Sequence, residues 1–142
     1  VPTAVAAAIV DSTRMAITFV GDGGILMTGQ ELATAVQYGA KPKVVISDNG
    51  IYGTIRTHQE RHYPHRVSGT DLVNPDFAAY AKAFGAHGEK VERTVDFAPA
   101  FERACASGKP ALIELRIDPD AITTTSTLSG IRKQALERPK QA

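Results

Sequence analysis

Short apolar runs alternate with amphipathic stretches along the 142 residues, and this alternation predicts strands interleaved with helices. Residues 15–20 (MAITFV) form a nearly continuous apolar run, the kind that suits a strand buried on both faces of a parallel sheet. Residues 44–47 and 111–117 read as further clear strands, and residues 89–91 as a weak one. Between them lie helical patterns with their punctuation. Pro2 opens a run of good helix formers that lasts to Val10. Thr28 and Glu31 make a T-x-x-E capping box for a helix reaching about Tyr38, where Gly39 ends it. Asn74-Pro75-Asp76 starts a helix over 77–84 closed by Gly85, and Asp96 can cap a helix to about Ala106, stopped by Gly108. Residues 21–24 read as a glycine loop, residues 48–50 as a turn, and residues 56–73 as the one long irregular stretch. The tail after Asp118 is polar, and residues 123–127 are not expected in a core. The expected fold is a doubly wound, three-layer α/β domain with a mainly parallel sheet. The chain opens at Val1, without an initiator methionine, directly in a helical pattern. It therefore reads as cut from something longer, with the sheet incomplete on its N-terminal side.

Composition narrows the function without naming it. A formal net charge of +1 implies no polyanionic partner, and Arg61 and Arg66 stand among aromatics and histidines rather than in a basic run, so no nucleic acid is expected. No segment approaches ~18 uninterrupted apolar residues, so no membrane span is expected. Cys105 is the only cysteine, which precludes a disulfide within the chain and suits a reducing, cytoplasmic compartment. Set among small residues of a helical stretch, Cys105 reads as a small buried hydrophobe. No signal peptide is visible.

In open α/β sheets, ligands bind beyond the carboxyl ends of strands. Two polar segments fall at that edge, residues 21–24 and 48–53. The glycines around Asp22 let a ligand approach the backbone closely, and their N–H groups can face an anion. Asp22 adds one hard carboxylate oxygen, so an anion held there calls for a cation. Magnesium fits, because it takes six oxygens, usually one or two carboxylates with phosphate oxygens and water. Asn49 lies 27 residues beyond Asp22, far enough for a loop, a helix and the next strand. The turn at Gly50 can then aim the Ile51 carbonyl at the same ion. His58, His62 and His65 invite a zinc reading, but Pro64 interrupts the helical spacing and no cysteine or third ligand is near, so they read as part of a loop. Glu114 and Asp118 read as solvent-facing or structural, and Met27 as packing near the ligand or in the core.

With these residues in hand, the sequence resembles a known family. Gly21-Asp22-Gly23, an interval of this size and Asn49 at the end of an apolar strand are similar to the thiamine diphosphate motif, Gly-Asp-Gly followed by Asn-Asn. The flanking words GDGGILMTGQELATAVQYG and ISDNGIYGTIR resemble the C-terminal cofactor-binding domain of the acetolactate synthase and benzoylformate decarboxylase group. The resemblance covers residues 1–129 and leaves residues 130–142 as a C-terminal tail. It implies thiamine diphosphate and Mg2+ as cofactors. Asp22, the Asn49 side chain and the Ile51 carbonyl would hold the metal. Gly21 opens the motif, and Gly23, Gly24, Tyr52 and Gly53 would contact the diphosphate, mostly through backbone groups. The first Asn of the motif is Asp48 here, which adds a negative charge near a diphosphate.

The same resemblance implies elements that this chain is not expected to contain. The apolar residue that supports the bent cofactor lies further upstream of Gly-Asp-Gly than the 21 residues preceding Asp22. The glutamate that activates the cofactor belongs to a pyrimidine-binding domain, normally from a partner subunit, so no catalytic residue is assigned here. The implied parent is a homo-oligomeric decarboxylase or carboligase acting on a small 2-oxo acid, whose chemistry is the cofactor's own. A second reading is a module that holds magnesium diphosphate without turnover. A third, an unrelated phosphate-handling domain, would call for a P-loop or an acidic cluster, and the sequence has neither.

Overall fold

The computed structural model describes residues 1–138 and divides the chain into two compact units. The last four residues of the expected tail, 139–142, lie outside the described residues. The first unit comprises Val1–Asp48 and Asn74–Arg116; the second takes Asn49–Val73 and the residues from Ile117 onward.

The first unit holds a four-stranded, all-parallel sheet in the order β1-β2-β4-β3. Its strands are β1 (Ile17–Gly21), β2 (Lys43–Asp48), β3 (His87–Val91) and β4 (Ala111–Arg116). The helices are α1 (Pro2–Val10), α2 (Asp22–Thr28), α3 (Leu32–Gln37), α5 (Phe77–Ala83) and α6 (Phe97–Ala106). On one face Val44, Ile46 and Leu112 pack with Ile25 and Leu32 from the α2–α3 segment and Phe77 and Ala81 from α5. On the other, Ala111 and Ile113 pack with Ala100 and Ala104 of α6. A smaller cluster joins Val5 and Ala8 of α1 to Ala35 and Ala40. These layers are the doubly wound arrangement that the apolar runs imply. Lys43, buried within β2, donates from Nζ to the carbonyls of Ala104 (2.9 Å) and Lys109 (2.8 Å).

Four local expectations need correction. The run at 15–20 is not buried on both faces: β1 pairs only with β2 among the described residues, and Phe19 is 74% exposed. Burial of a strand's faces depends on which helices pack over them, and apolar composition cannot reveal that. Residues 22–28 are helical rather than a loop, with Gly21 as the cap residue. A 3-10 turn (Gly29–Glu31) then leads into α3, and the capping box does not form: Thr28 makes no side-chain cap, while Glu31 accepts from the Thr34 hydroxyl (3.0 Å). Asp96 likewise makes no side-chain cap, because Arg93 engages its carboxylate in two hydrogen bonds. By contrast Asp76 caps α5, accepting from the Ala79 N–H (2.7 Å).

The second unit contains α4 (Gly53–His62) and α7 (Leu128–Glu137). Helix α4 takes the first part of what reads in sequence as irregular chain. It ends before Pro64, and His65 adopts φ +64°. His58 and His62 stack on its exposed side, 6.3 Å between ring centroids. Helix α7 is capped by Thr127, which accepts from the Gly130 N–H (3.0 Å). Residues 123–127 stay out of the core. Among the described residues, no helix is long and apolar enough to cross a membrane.

Candidate functional site

Parallel pairing places Gly21 opposite Ser47, so β1 and β2 end side by side, with Asp22 as the first residue beyond β1 and Asp48 as the last of β2. Asp22 is only 3% exposed. Its Oδ1 accepts from the Gly23 N–H (2.9 Å) and its Oδ2 from Nδ2 of Asn74 (2.8 Å). A buried carboxylate at a strand end, held by donors, is a ready source of hard oxygen. Gly24 has a steric reason to be glycine, since a Cβ would meet Val20 Cγ2 at 2.9 Å.

Asp48 is a group whose importance sequence reasoning left open. It is 1% exposed and pairs with the Arg116 guanidinium, which parallel register sets opposite it on β4. Its Oδ1 also accepts from Asn74 Nδ2 (2.8 Å). Burial opposes its ionisation, but the hydrogen bonds from Asn74 and Arg116 and the Arg116 charge outweigh that and hold the carboxyl below its ordinary value. The extra negative charge is therefore compensated within the first unit.

Glu114, expected to be solvent-facing or structural, is 1% exposed and two residues before Arg116, on the same face of β4. Burial pushes its carboxyl above the ordinary range; Lys90, 3.6 Å away, opposes this, and the neighbouring Asp48 adds to it. The raised carboxyl favours a protonated Glu114 in the folded chain, and its stabilising effect is full below pH 4.5 and lost as pH rises through the folded value. Glu114→Gln, which mimics the protonated form, is accordingly expected to unfold at a higher temperature than wild type at pH 8 and at nearly the same temperature at pH 4. Parallel thermal melts at the two pH values check this; a variant less stable at pH 8 would contradict it.

The segment from Asn49 to Gly53 belongs to the second unit and is tightly braced there. Gly50 turns the chain at φ +69°, a conformation that glycine adopts without penalty. The Asn49 Oδ1 accepts from the Ile51 N–H (3.2 Å). Ile51 forms an antiparallel bridge with Asp71, Leu72 N–H donates to the Gly50 carbonyl (2.8 Å), and Tyr52 N–H donates to the Thr70 carbonyl (2.9 Å). Arg56 locks this brace from α4, with Nε on Thr70 Oγ1 (2.5 Å) and a guanidinium N–H on Asp71 (2.6 Å). The Ile51 carbonyl accepts from Gly53 N–H (3.0 Å) and keeps a second lone pair. Tyr52 is half-buried with its N–H committed, so a contact from it to a ligand would come from the side chain.

Sequence reasoning gave Arg116 and Arg56 no role, took Asn74 only as part of a helix start, and took Glu114 only as solvent-facing or structural. The available signal was the alternation of Glu114 and Arg116 at the end of an apolar strand, where charge on a core-facing side needs a partner.

Within the first unit the oxygens brought together at the strand ends are the Asp22 and Asp48 carboxylates and the Asn74 amide. Among the described residues no cluster of three or more His, Cys, Asp or Glu could hold a metal by itself.

Comparisons with known proteins agree with the motif. The family described as thiamine pyrophosphate enzyme, C-terminal TPP binding domain, matches residues 1–115. The putative thiamine pyrophosphate-containing protein YdaP of Bacillus subtilis is 39% identical over 121 residues, covering 82% of this chain and 20% of that protein. The acetolactate synthase large subunit of Parasynechococcus marenigrum is 36% identical over 118 residues, covering 82% and 19%. The 4-hydroxybenzoylformate decarboxylase of Rhodococcus jostii, a thiamine diphosphate-dependent enzyme of known structure, superposes with a TM-score of 0.77 at 32% identity, covering 83% of this chain and 22% of that one. The chain thus spans about a fifth of the length of the curated relatives it matches. A parallel sheet with buried Asp22 at a strand end, the paired motif and these matches lead to one conclusion: the chain belongs to the C-terminal thiamine pyrophosphate-binding domains of thiamine pyrophosphate enzymes.

Proposed function

We propose that this chain holds the magnesium–diphosphate end of thiamine diphosphate within a 2-oxo acid decarboxylase or carboligase of the acetolactate synthase kind. The observation that carries the reading is Asp22: buried, donor-held and set at the carboxyl end of β1, in the Gly-Asp-Gly position of a chain whose family match spans residues 1–115. In this reading Asp22, the Asn49 side chain and the Ile51 carbonyl supply oxygens to Mg2+. Gly21 opens the motif as the residue that caps α2. Gly23, Gly24, Tyr52 and Gly53 line the diphosphate. When bound, the cofactor supplies the chemistry by which a 2-oxo acid loses CO2. The residues of this chain anchor its charged tail and screen it from water. Activation of the ring falls to a pyrimidine-binding domain or partner subunit, in a cytoplasmic homo-oligomer. A non-catalytic magnesium-diphosphate module would use the same residues and differ in lacking that partner.

An energy comparison sets the expected result for the 142-residue chain alone. Charge-assisted hydrogen bonds contribute roughly 1.5–3 kcal/mol each. Association costs on the order of 4–15 kcal/mol. Without apolar burial of the ring, binding should be weak, with a Kd of about 1 mM, equivalent to roughly 4 kcal/mol. Calorimetric titration with magnesium and thiamine diphosphate, beside a CO2-release assay on pyruvate and benzoylformate, is expected to show weak binding, no turnover, and loss of the binding signal in Asp22→Ala. Submicromolar affinity or turnover would overturn the division of labour, and unchanged binding by Asp22→Ala would overturn the ligand assignment.

A further inference from the structure

Asn74 lies immediately before Pro75, 52 residues after Asp22 and 26 after Asp48, yet its amide joins the two. Nδ2 donates to Asp22 Oδ2 and to Asp48 Oδ1, both at 2.8 Å. Hydrogen bonds from Nδ2 to two carboxylate oxygens use both of its hydrogens and turn the nitrogen end of the amide toward them. The amide oxygen is left over. Asn74 Oδ1 is buried and has no hydrogen-bond partner among the described residues. A buried acceptor in that condition calls for a donor or a cation, since native proteins leave few such groups unsatisfied.

The tether has a firm far end. Asp48 is held by Arg116, whose strand β4 is in register with β2. The Asp22 carboxylate, which follows the edge strand β1, is thereby tied through one amide to the two central strands of the sheet. A cross-strand tether of this kind matters for any ligand that needs a fixed oxygen. Groups that hold a metal ligand in this way typically change metal affinity ten- to a hundredfold when removed.

We propose that Asn74 is a positioning residue of the magnesium–diphosphate site: its amide hydrogens set the Asp22 carboxylate against Asp48, and its free Oδ1 accepts from a water of the bound ion. This rests on the reading of Asp22 as a metal ligand.

The test uses Mn2+ as the probe, followed by water-proton relaxation in the presence of thiamine diphosphate, on the wild-type chain, Asn74→Ala, Asp22→Ala and the double variant. Asn74→Ala is expected to weaken Mn2+ binding roughly ten- to a hundredfold. In the Asp22→Ala background the same change should add little, because there is no carboxylate left to position. The metal-free chain gives an independent readout: Asn74→Ala should shift the carboxyl carbon signals of Asp22 and Asp48 in NMR spectra and leave that of Asp76 in place. Should Asn74→Ala fail to fold, Asn74→Ser, which is too short to reach both carboxylates, takes its place. If Asp22→Ala weakens Mn2+ binding while the position-74 variants keep wild-type affinity, the role of Asn74 is overturned and the metal reading stands. If Asp22→Ala itself leaves binding unchanged, the metal reading fails and this inference falls with it. An equal loss from the position-74 change with and without Asp22 would reduce Asn74 to a structural residue.

Discussion

Gly88→Ala is expected to destabilise the first unit strongly. Gly88 lies within β3 and is buried; a Cβ built there would sit 2.2 Å from the carbonyl oxygen of Ala78 and 2.9 Å from its carbon. Both atoms are backbone of α5, so no side chain can swing aside. Either α5 lifts from the sheet, opening its contacts around Phe77 and Ala81, or β3 shifts in register against β4. Overpacking of a well-filled core costs typically 1–3 kcal/mol, and a rigid backbone clash belongs at or above the top of that range. For a domain of this size, about 3 kcal/mol corresponds to a fall in Tm of roughly 10 °C. Chemical denaturation and thermal melts of the variant measure it. Gly21→Ala is the stability control, since a Cβ there meets nothing within 4 Å. A Gly88→Ala chain as stable as that control would mean that α5 and β3 do not approach as closely as this geometry requires.

Arg132→Ala should strike the second unit comparably hard, and with a pH signature. Glu60 of α4 is fully buried and receives two hydrogen bonds from Arg132 of α7, at 2.9 and 2.5 Å, and one from the His65 N–H at 3.1 Å. The Arg132 hydrogen bonds are the chief reason that the Glu60 carboxyl sits below its ordinary value, against the opposing effect of burial. Removing the arginine leaves a buried carboxylate without its counter-charge, a change that costs about 3–5 kcal/mol in buried pairs. Arg132 is partly solvated, so the lower end applies. The sign follows from linkage. A depressed carboxyl contributes stability above its unfolded value, near 4.5, and loses that contribution as pH falls through the folded value. The gap between wild type and Arg132→Ala is therefore expected to be widest near pH 7 and to narrow below about pH 4, where Glu60 can take up a proton. Urea titrations at several pH values would reveal it. A pH-independent gap would show that Arg132 acts through packing alone.

Much of the architecture was legible from the chain because it depends on local pattern. The run at 44–47 and the first half of the run at 111–117 mark strands buried on both faces, where most positions are apolar. Gly39, Gly85 and Gly108 mark helix ends because each takes positive φ there. The same reasoning took residues 15–20 as buried on both faces, whereas β1 alternates between exposed and half-buried positions. It also placed a capping box at Thr28 and Glu31, whose side chains have other partners or none, because the spacing of a motif does not disclose competitors. Helix α7 went unpredicted: its apolar positions are few, and it is held through Arg132 by a buried glutamate far away in sequence.

For the candidate site, the division follows the range of the interactions. The Gly-Asp-Gly and Asn49 words are local, and they point to the family that the match over residues 1–115 shows. By itself the sequence therefore determined the fold class and the residues that carry the proposed ligand set. What it could not reveal is how a charge buried at a strand end is balanced. Only tertiary structure decided that Arg116 compensates Asp48, that Glu114 lies buried beside it, and that Asn74 spans Asp22 and Asp48. Those pairings join residues 26 to 68 positions apart. Their strength comes from exclusion of water and from parallel register, and neither exists until the strands are side by side.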